Sequence, residues 1–294
     1  MISVIGAGAW GSALYYAIKQ MVPDAVITSR TKRNIEGFAD LDKALENEYI
    51  LIAIAAQSIK DFLKKVDLSE KKILVASKGI DNEKLKFLNE IFEEYVSPDN
   101  LAFISGPSFA KEVRENKPTA LVIASKNTDL AEQFKTFFPT FLKIYIDDDV
   151  AGVEVAGAYK NVIAIAGGIC EGLNLGSNAK AALLARGLVE MDRFGEKFGA
   201  RKDTFLGVAG SGDLFLTANS TMSRNYRVGL NLAKGKLLND ILDELREVAE
   251  GVYTTKAIYK LAKLNEVYTP IANEVYKIIY ENKEPLKSLK DLLG

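Results

Sequence analysis

The apolar positions of this chain change their period once. Through residues 1–147, short unbroken apolar runs recur at 2–5, 25–29, 49–55, 72–76, 101–104, 119–124 and 143–146. Continuous rather than alternating runs are expected of parallel strands buried on both faces. Helical period falls between several of them, over 12–20, 58–65, 83–95 and 130–138. Strands alternating with helices predict a doubly wound α/β sheet. Ligands of such sheets bind beyond the carboxyl ends of the strands, where Lys78 and the turn from Gly106 to Ala110 would lie.

After Asp147 the strand signal stops. Residues 148–294 read as a second, helical domain, with helices at 154–171, 178–198, 254–264 and 271–280. No Pro/Gly/Ser-rich linker separates the halves, so the 154–171 helix is expected to pack directly on the first domain. Between its two terminal acids that helix carries one charge, Lys160, and at helical spacing Ala156, Gly157, Ala164 and Gly167 share its face. Small residues admit a close neighbouring backbone. Burial would lower the lysine's pKa towards the range of an acid/base catalyst, unless the side chain snorkels out to a surface carboxylate.

At the N-terminus the 2–5 strand meets Gly6, Ala7, Gly8, Ala9, Trp10 and Gly11, then a helix. Strand, G-x-G-x-x-G and helix form the dinucleotide fingerprint. The first glycine permits the turn, the second admits the pyrophosphate, and the third packs helix on strand. About 20 residues on, NAD-binding proteins usually carry an acid for the ribose hydroxyl. Here the sequence is Ser29-Arg30-Thr31-Lys32-Arg33, which suits a 2′-phosphate, so NADPH is favoured and NADH admitted.

Composition narrows the chemistry. There is no histidine and one cysteine, Cys170, so Ser-His and Cys-His triads, an internal disulfide and ordinary zinc sites are excluded. Acid/base work falls to Lys, Asp, Glu, Tyr or that cysteine. A net charge of −1 gives no reason to expect nucleic acid. No signal peptide and no run of ~20 uninterrupted apolar residues is visible, so a cytoplasmic protein with no membrane span is expected. The apolar helical half is compatible with a homodimer.

Seven motifs in order carry a resemblance over nearly the whole chain: GAGAWGSAL at the start, SKG at 77–79, SGPSFAKE at 105–112, AYKNVIAIAGG at 158–168, GSGDL at 210–214, SRN at 223–225 and VAEG at 248–251. The chain resembles bacterial-type NAD(P)-dependent glycerol-3-phosphate dehydrogenases. The resemblance implies a Rossmann-like sheet domain followed by an all-α domain like the C-terminal domain of 6-phosphogluconate dehydrogenase. It implies reversible reduction of dihydroxyacetone phosphate to sn-glycerol 3-phosphate for phospholipid synthesis. By resemblance, Lys160 is the acid/base residue, Lys78 lies beside substrate and cofactor, and Asp213 orients a lysine or a substrate hydroxyl. Ser223, Arg224 and Asn225 match the phosphate-holding motif, with Gly106 and Ser108 on the substrate wall. Ala110, Arg224 and Glu250 match positions next to the dinucleotide. The 31–48 segment is shorter than the family's usual loop, and Ala55-Ala56-Gln57 replaces its more frequent Val-Pro-Ser-Gln.

Two other readings stand beside this one. A β-hydroxyacid or sugar-acid dehydrogenase of the same plan would share the helix lysine but would not need the Ser223-Arg224-Asn225 cluster. A non-catalytic NADP(H) sensor would be expected to have lost the second-half residues.

Overall fold

The computed structural model describes residues 1–245 and 248–293, so Glu247, the first residue of the predicted lead-in to the 254–264 helix, lies outside the described residues. Strands β1 (Ile2–Ile5), β2 (Val26–Thr28), β3 (Tyr49–Ile52), β4 (Lys72–Val75), β5 (Leu101–Ser105), β6 (Thr119–Ala124) and β7 (Leu142–Asp147) form one sheet in the order β2-β1-β3-β4-β5-β6-β7. Its helices are α1 (Ala9–Met21), α2 (Leu41–Leu45), α3 (Ile59–Leu63), α4 (Leu88–Phe92), α5 (Ala110–Arg114) and α6 (Thr128–Lys135). The central strands are nearly all buried, most of their residues Ile, Leu and Val, with apolar clusters on both sheet faces.

Two expectations need correction. β6 runs antiparallel to β5, with Ser105 opposite Val122, and β7 follows it in parallel. The connection after β5 spends its length at that strand's carboxyl end, so the chain re-enters the sheet from the same end. The predicted 83–95 helix shrinks to α4. Ahead of it, Asp81 accepts from the Glu83 and Lys84 amides, and Ile80 bridges antiparallel to Phe87. Leu85 takes φ +55°, a left-handed conformation that a right-handed helix does not contain, so the chain turns there and the helix starts only at Leu88.

The second half holds α7 (Val150–Gly172), α8 (Gly176–Glu196), α9 (Lys202–Leu206), α10 (Asp213–Ala218), α11 (Arg224–Ala233), α12 (Leu238–Leu245), α13 (Glu250–Leu264), α14 (Pro270–Tyr280) and α15 (Pro285–Leu293). A π-helical turn, Val208–Gly212, feeds α10. α7 is the axis of this half. It is long and apolar enough to cross a membrane, with mean hydropathy 1.2, yet 94% of that window is buried inside the protein. A helix apolar all round is a core helix when other helices surround it. Its start is pinned by Asp149, which accepts from Gly152 N at 2.9 Å, Arg201 N at 2.9 Å and Thr204 Oγ1 at 2.5 Å.

α7 and α11 cross with their backbones nearly touching. A β-carbon on Gly168 would stand 2.0 Å from the Tyr226 carbonyl, and one on Gly229 would stand 1.9 Å from the Ile165 carbonyl. Neither backbone can yield without separating the helices. Gly229→Ala is therefore expected to cost about 3 kcal/mol or more, read as a lower denaturant midpoint. A midpoint equal to wild type would contradict the crossing.

Candidate active site

The glycine turn sits where β1 separates β2 from β3, the switch point of the sheet. Gly6 has φ +116°, and a β-carbon there would lie 2.3 Å from the Ala53 carbonyl. One on Gly11 would lie 1.9 Å from the Gly6 carbonyl, so that glycine sets helix against strand. Gly8 is different: it precedes α1 and a β-carbon would meet nothing within 4 Å. The open approach belongs to the glycine that must admit a pyrophosphate, so the turn fits a dinucleotide. Ala9 and Trp10 form the first turn of α1, with Trp10 packed on the sheet-domain core. Arg30 is exposed just past the end of β2, beside the same turn.

Beyond β4, Lys78 reaches into the second half. Its Nζ donates to Asp213 Oδ2 at 2.7 Å. From the other side Lys160, midway along α7, donates to Asp213 Oδ1 at 2.7 Å and to Thr217 Oγ1 at 2.9 Å. Asp213 is 1% exposed and Lys160 8%, so the snorkelling alternative does not hold. Burial pushes the Lys160 ammonium down to about 8; the Asp213 charge opposes that, while Lys78 and Arg224 add to it. Burial pulls the Asp213 carboxyl upward, but the two lysines outweigh it and hold the group below its ordinary value. A carboxylate bridging two ammonium groups leaves one net positive charge in a water-poor site. That suits stabilisation of a developing alkoxide.

The surrounding residues divide. Gly106, just past β5, has φ +136°, and Ser108 Oγ donates to its carbonyl at 3.0 Å. Ala110 opens α5 from that turn, and Pro107 faces Gly212, the residue before Asp213. Ser223 caps α11 by accepting from Tyr226 N at 3.2 Å. Asn225 is a buried tie: it donates to Asn161 Oδ1 at 2.9 Å and accepts from Gly251 N at 3.0 Å. Arg224 is exposed on the first turn of α11, with its charge felt at both Lys160 and Glu250. Glu250 accepts from Ala56 N at 3.3 Å and stands over Gly79, so it joins the two halves at the mouth of the sheet. Burial pushes its carboxyl up to about 7 against the pull of the Ala56 amide and of the Arg224, Lys78 and Lys160 charges.

Thr217 and Asn161 also belong to the cluster. Each carried a signal: Thr217 follows Asp213 by one helical turn, and Asn161 follows Lys160 directly. A separate surface cavity, lined by Glu171, Asn174, Lys180 and Asn219, lies about three turns along α7 from Lys160.

A dinucleotide turn facing a lysine–carboxylate cluster on the axial helix of a second domain belongs to the two-domain nicotinamide-dependent dehydrogenases. Family models narrow the class: the N-terminal model of NAD-dependent glycerol-3-phosphate dehydrogenase matches residues 27–131, and the C-terminal one matches 149–290. Glycerol-3-phosphate dehydrogenase [NAD(P)+] of Nitratiruptor sp. is 56% identical over 99% of this chain and 97% of that one. The Sulfurimonas denitrificans enzyme is 54% identical over 100% and 99%. The crystal structure of glycerol-3-phosphate dehydrogenase from Coxiella burnetii superposes with a TM-score of 0.93 at 32% identity, covering 100% of this chain and 98% of that one. The chain belongs to the NAD(P)-dependent glycerol-3-phosphate dehydrogenase family and is an oxidoreductase of that reaction.

Proposed function

We propose that Lys160 is the acid/base residue of this dehydrogenase, acting on C2 of dihydroxyacetone phosphate in one direction and of sn-glycerol 3-phosphate in the other. The observation that carries this reading is Asp213, buried and bonded to both Lys160 and Lys78. A bound reduced nicotinamide supplies the hydride. As charge builds on the C2 oxygen, Lys160 delivers its proton to that oxygen and Lys78 stabilises the charge. Asp213 and Thr217 fix the direction of the Lys160 Nζ. Arg224 takes the substrate phosphate beside Ser223 and Asn225, with Gly106 and Ser108 on the opposite wall. Its planar fork suits a phosphate, and binding energy from that remote group positions the carbonyl.

Gly6, Gly8, Ala9, Trp10 and Gly11 hold the dinucleotide on one side, and Ala110 and Glu250 flank its reactive end. Arg30, exposed at the β2 end, supports NADPH as the preferred form. We further propose that 1–147 and 148–294 are the working domains and that the product feeds phospholipid synthesis in the cytoplasm. Exposed Val189, Leu206, Phe215 and Met222 on the helical half support a homodimer.

Following nicotinamide absorbance with dihydroxyacetone phosphate tests the reading. Oxidation of NADPH faster than NADH is expected, with Arg30→Ala raising KM for NADPH roughly tenfold and leaving NADH nearly unchanged, as the loss of one charge-assisted contact would do. Equal KM changes for both cofactors would remove Arg30 from this role. Turnover of simple β-keto acids in place of dihydroxyacetone phosphate would remove the substrate.

A further inference from the structure

Glu154 is a buried acid outside the lysine cluster, 8% exposed. It stands on α7 one turn before Gly157, on the face turned to the sheet domain. Its Oε2 accepts from Asn89 N at 2.7 Å, in the first turn of α4. α4 closes the segment that Lys78 opens. Within that segment Ile80 and Phe87 bridge to each other and are buried in the core of the helical half, and Gln57 Nε2 donates to the Ile80 carbonyl at 2.8 Å. The Lys78 stem runs along the same face of α7: a β-carbon on Gly157 would stand 3.4 Å from Lys78 Cγ and Cδ. Ser77, Lys78, Ser105, Glu154 and Gly157 line one small cavity, and the buried Ser105 Oγ has no protein partner.

We propose that Glu154 is a positioning residue for Lys78. By holding the start of α4 against α7, it fixes the far end of the 78–89 segment and keeps the Lys78 ammonium on Asp213, at the reacting oxygen. The inference rests on the assignment of Lys78 to that oxygen. A long lysine side chain has much rotamer freedom to lose, so its aim depends on where its backbone is anchored. Removing the acceptor takes the partner from the half-buried Asn89 amide and frees the segment, and a displacement near 1 Å at the reacting centre costs on the order of 10²-fold in rate. Burial pushes the Glu154 carboxyl up to about 8; the Asn89 amide opposes this, while Glu90 on α4 and Glu93 just past it add to it. Near neutral pH the neutral carboxyl is thus the form held, and glutamine is its close mimic.

The test compares kcat and KM with dihydroxyacetone phosphate for wild type, Glu154→Leu, Glu154→Gln, Lys78→Ala and the Glu154→Leu/Lys78→Ala double variant. Glu154→Leu is expected to lose roughly tenfold or more in kcat with KM for NADPH little changed. Glu154→Gln should recover most of that loss, and the double variant should be no slower than Lys78→Ala alone, because both changes remove one function. A Leu variant at wild-type kcat, a Gln variant as slow as Leu, or losses that multiply in the double variant would each overturn the proposal. If Glu154→Leu does not fold, Glu154→Asp, which withdraws the same carboxyl by one methylene, takes its place in the cycle. Wild-type turnover by Lys78→Ala would overturn the Lys78 assignment itself, an outcome distinct from the other three.

Discussion

Lys160→Ala is expected to lower kcat for dihydroxyacetone phosphate reduction by ~10²–10⁴-fold, the usual worth of a placed acid/base group. No histidine exists to substitute for it, and Lys78 is already committed to the outer oxygen of Asp213. The wild-type pH profile should carry the same residue's signature. Burial holds the ammonium down at about 8. Ketone reduction needs the protonated lysine, so its rate should fall as pH rises through about 8. Alcohol oxidation needs the neutral amine, so its rate should rise through that value. Steady-state rates in both directions, for wild type and variant, decide the matter. A variant within threefold of wild type, or limbs running in the same sense for both directions, would remove Lys160 from proton transfer.

Asp213→Asn should be nearly as damaging, by a different route. The aspartate bridges the buried Lys160 and the half-buried Lys78, and it is itself 1% exposed. Removing one partner of a buried charged set leaves the others uncompensated, at a cost of about 3–5 kcal/mol. The melting temperature should therefore drop by several degrees, and kcat should fall with it. The pH profile separates the electrostatic effect from simple loosening. Since the Asp213 charge raises the Lys160 pKa against burial, its loss must move the falling limb of ketone reduction to lower pH. A limb that stays in place, or moves up, would mean that Asp213 does not set the lysine's proton affinity.

Much of the site could be read from local sequence because its parts are local. Gly6, Gly8 and Gly11 occur within one turn, and each has a distinct steric duty that the spacing itself encodes. Lys160 was visible as the lone charge in an apolar helix, since burial of α7 on all sides follows from its composition. What the lysine bonds to was suggested only by the resemblance, which set Asp213 beside a lysine or a substrate hydroxyl; nothing in the spacing showed it. Asp213 lies 53 residues away in sequence and Lys78 135 residues from Asp213, so their meeting depends on how the two halves pack. Asn225 shows the opposite case: the resemblance set it in a phosphate-holding motif, and only the structure shows its carboxamide also tying α7 to α13.

By itself, then, the sequence determined the strand and helix identities of most long periodic segments and the glycine turn that opens α1, and it marked Lys160 as the candidate acid/base residue, because period, steric need and a missing histidine act within short stretches of chain. Tertiary structure alone decided the reversal of β6, the non-helical path from Lys78 to α4, and the bonding of Lys78 and Lys160 to one buried carboxylate. Those features are set by where distant segments can dock and by what their burial does to charge. No periodicity along the chain records either.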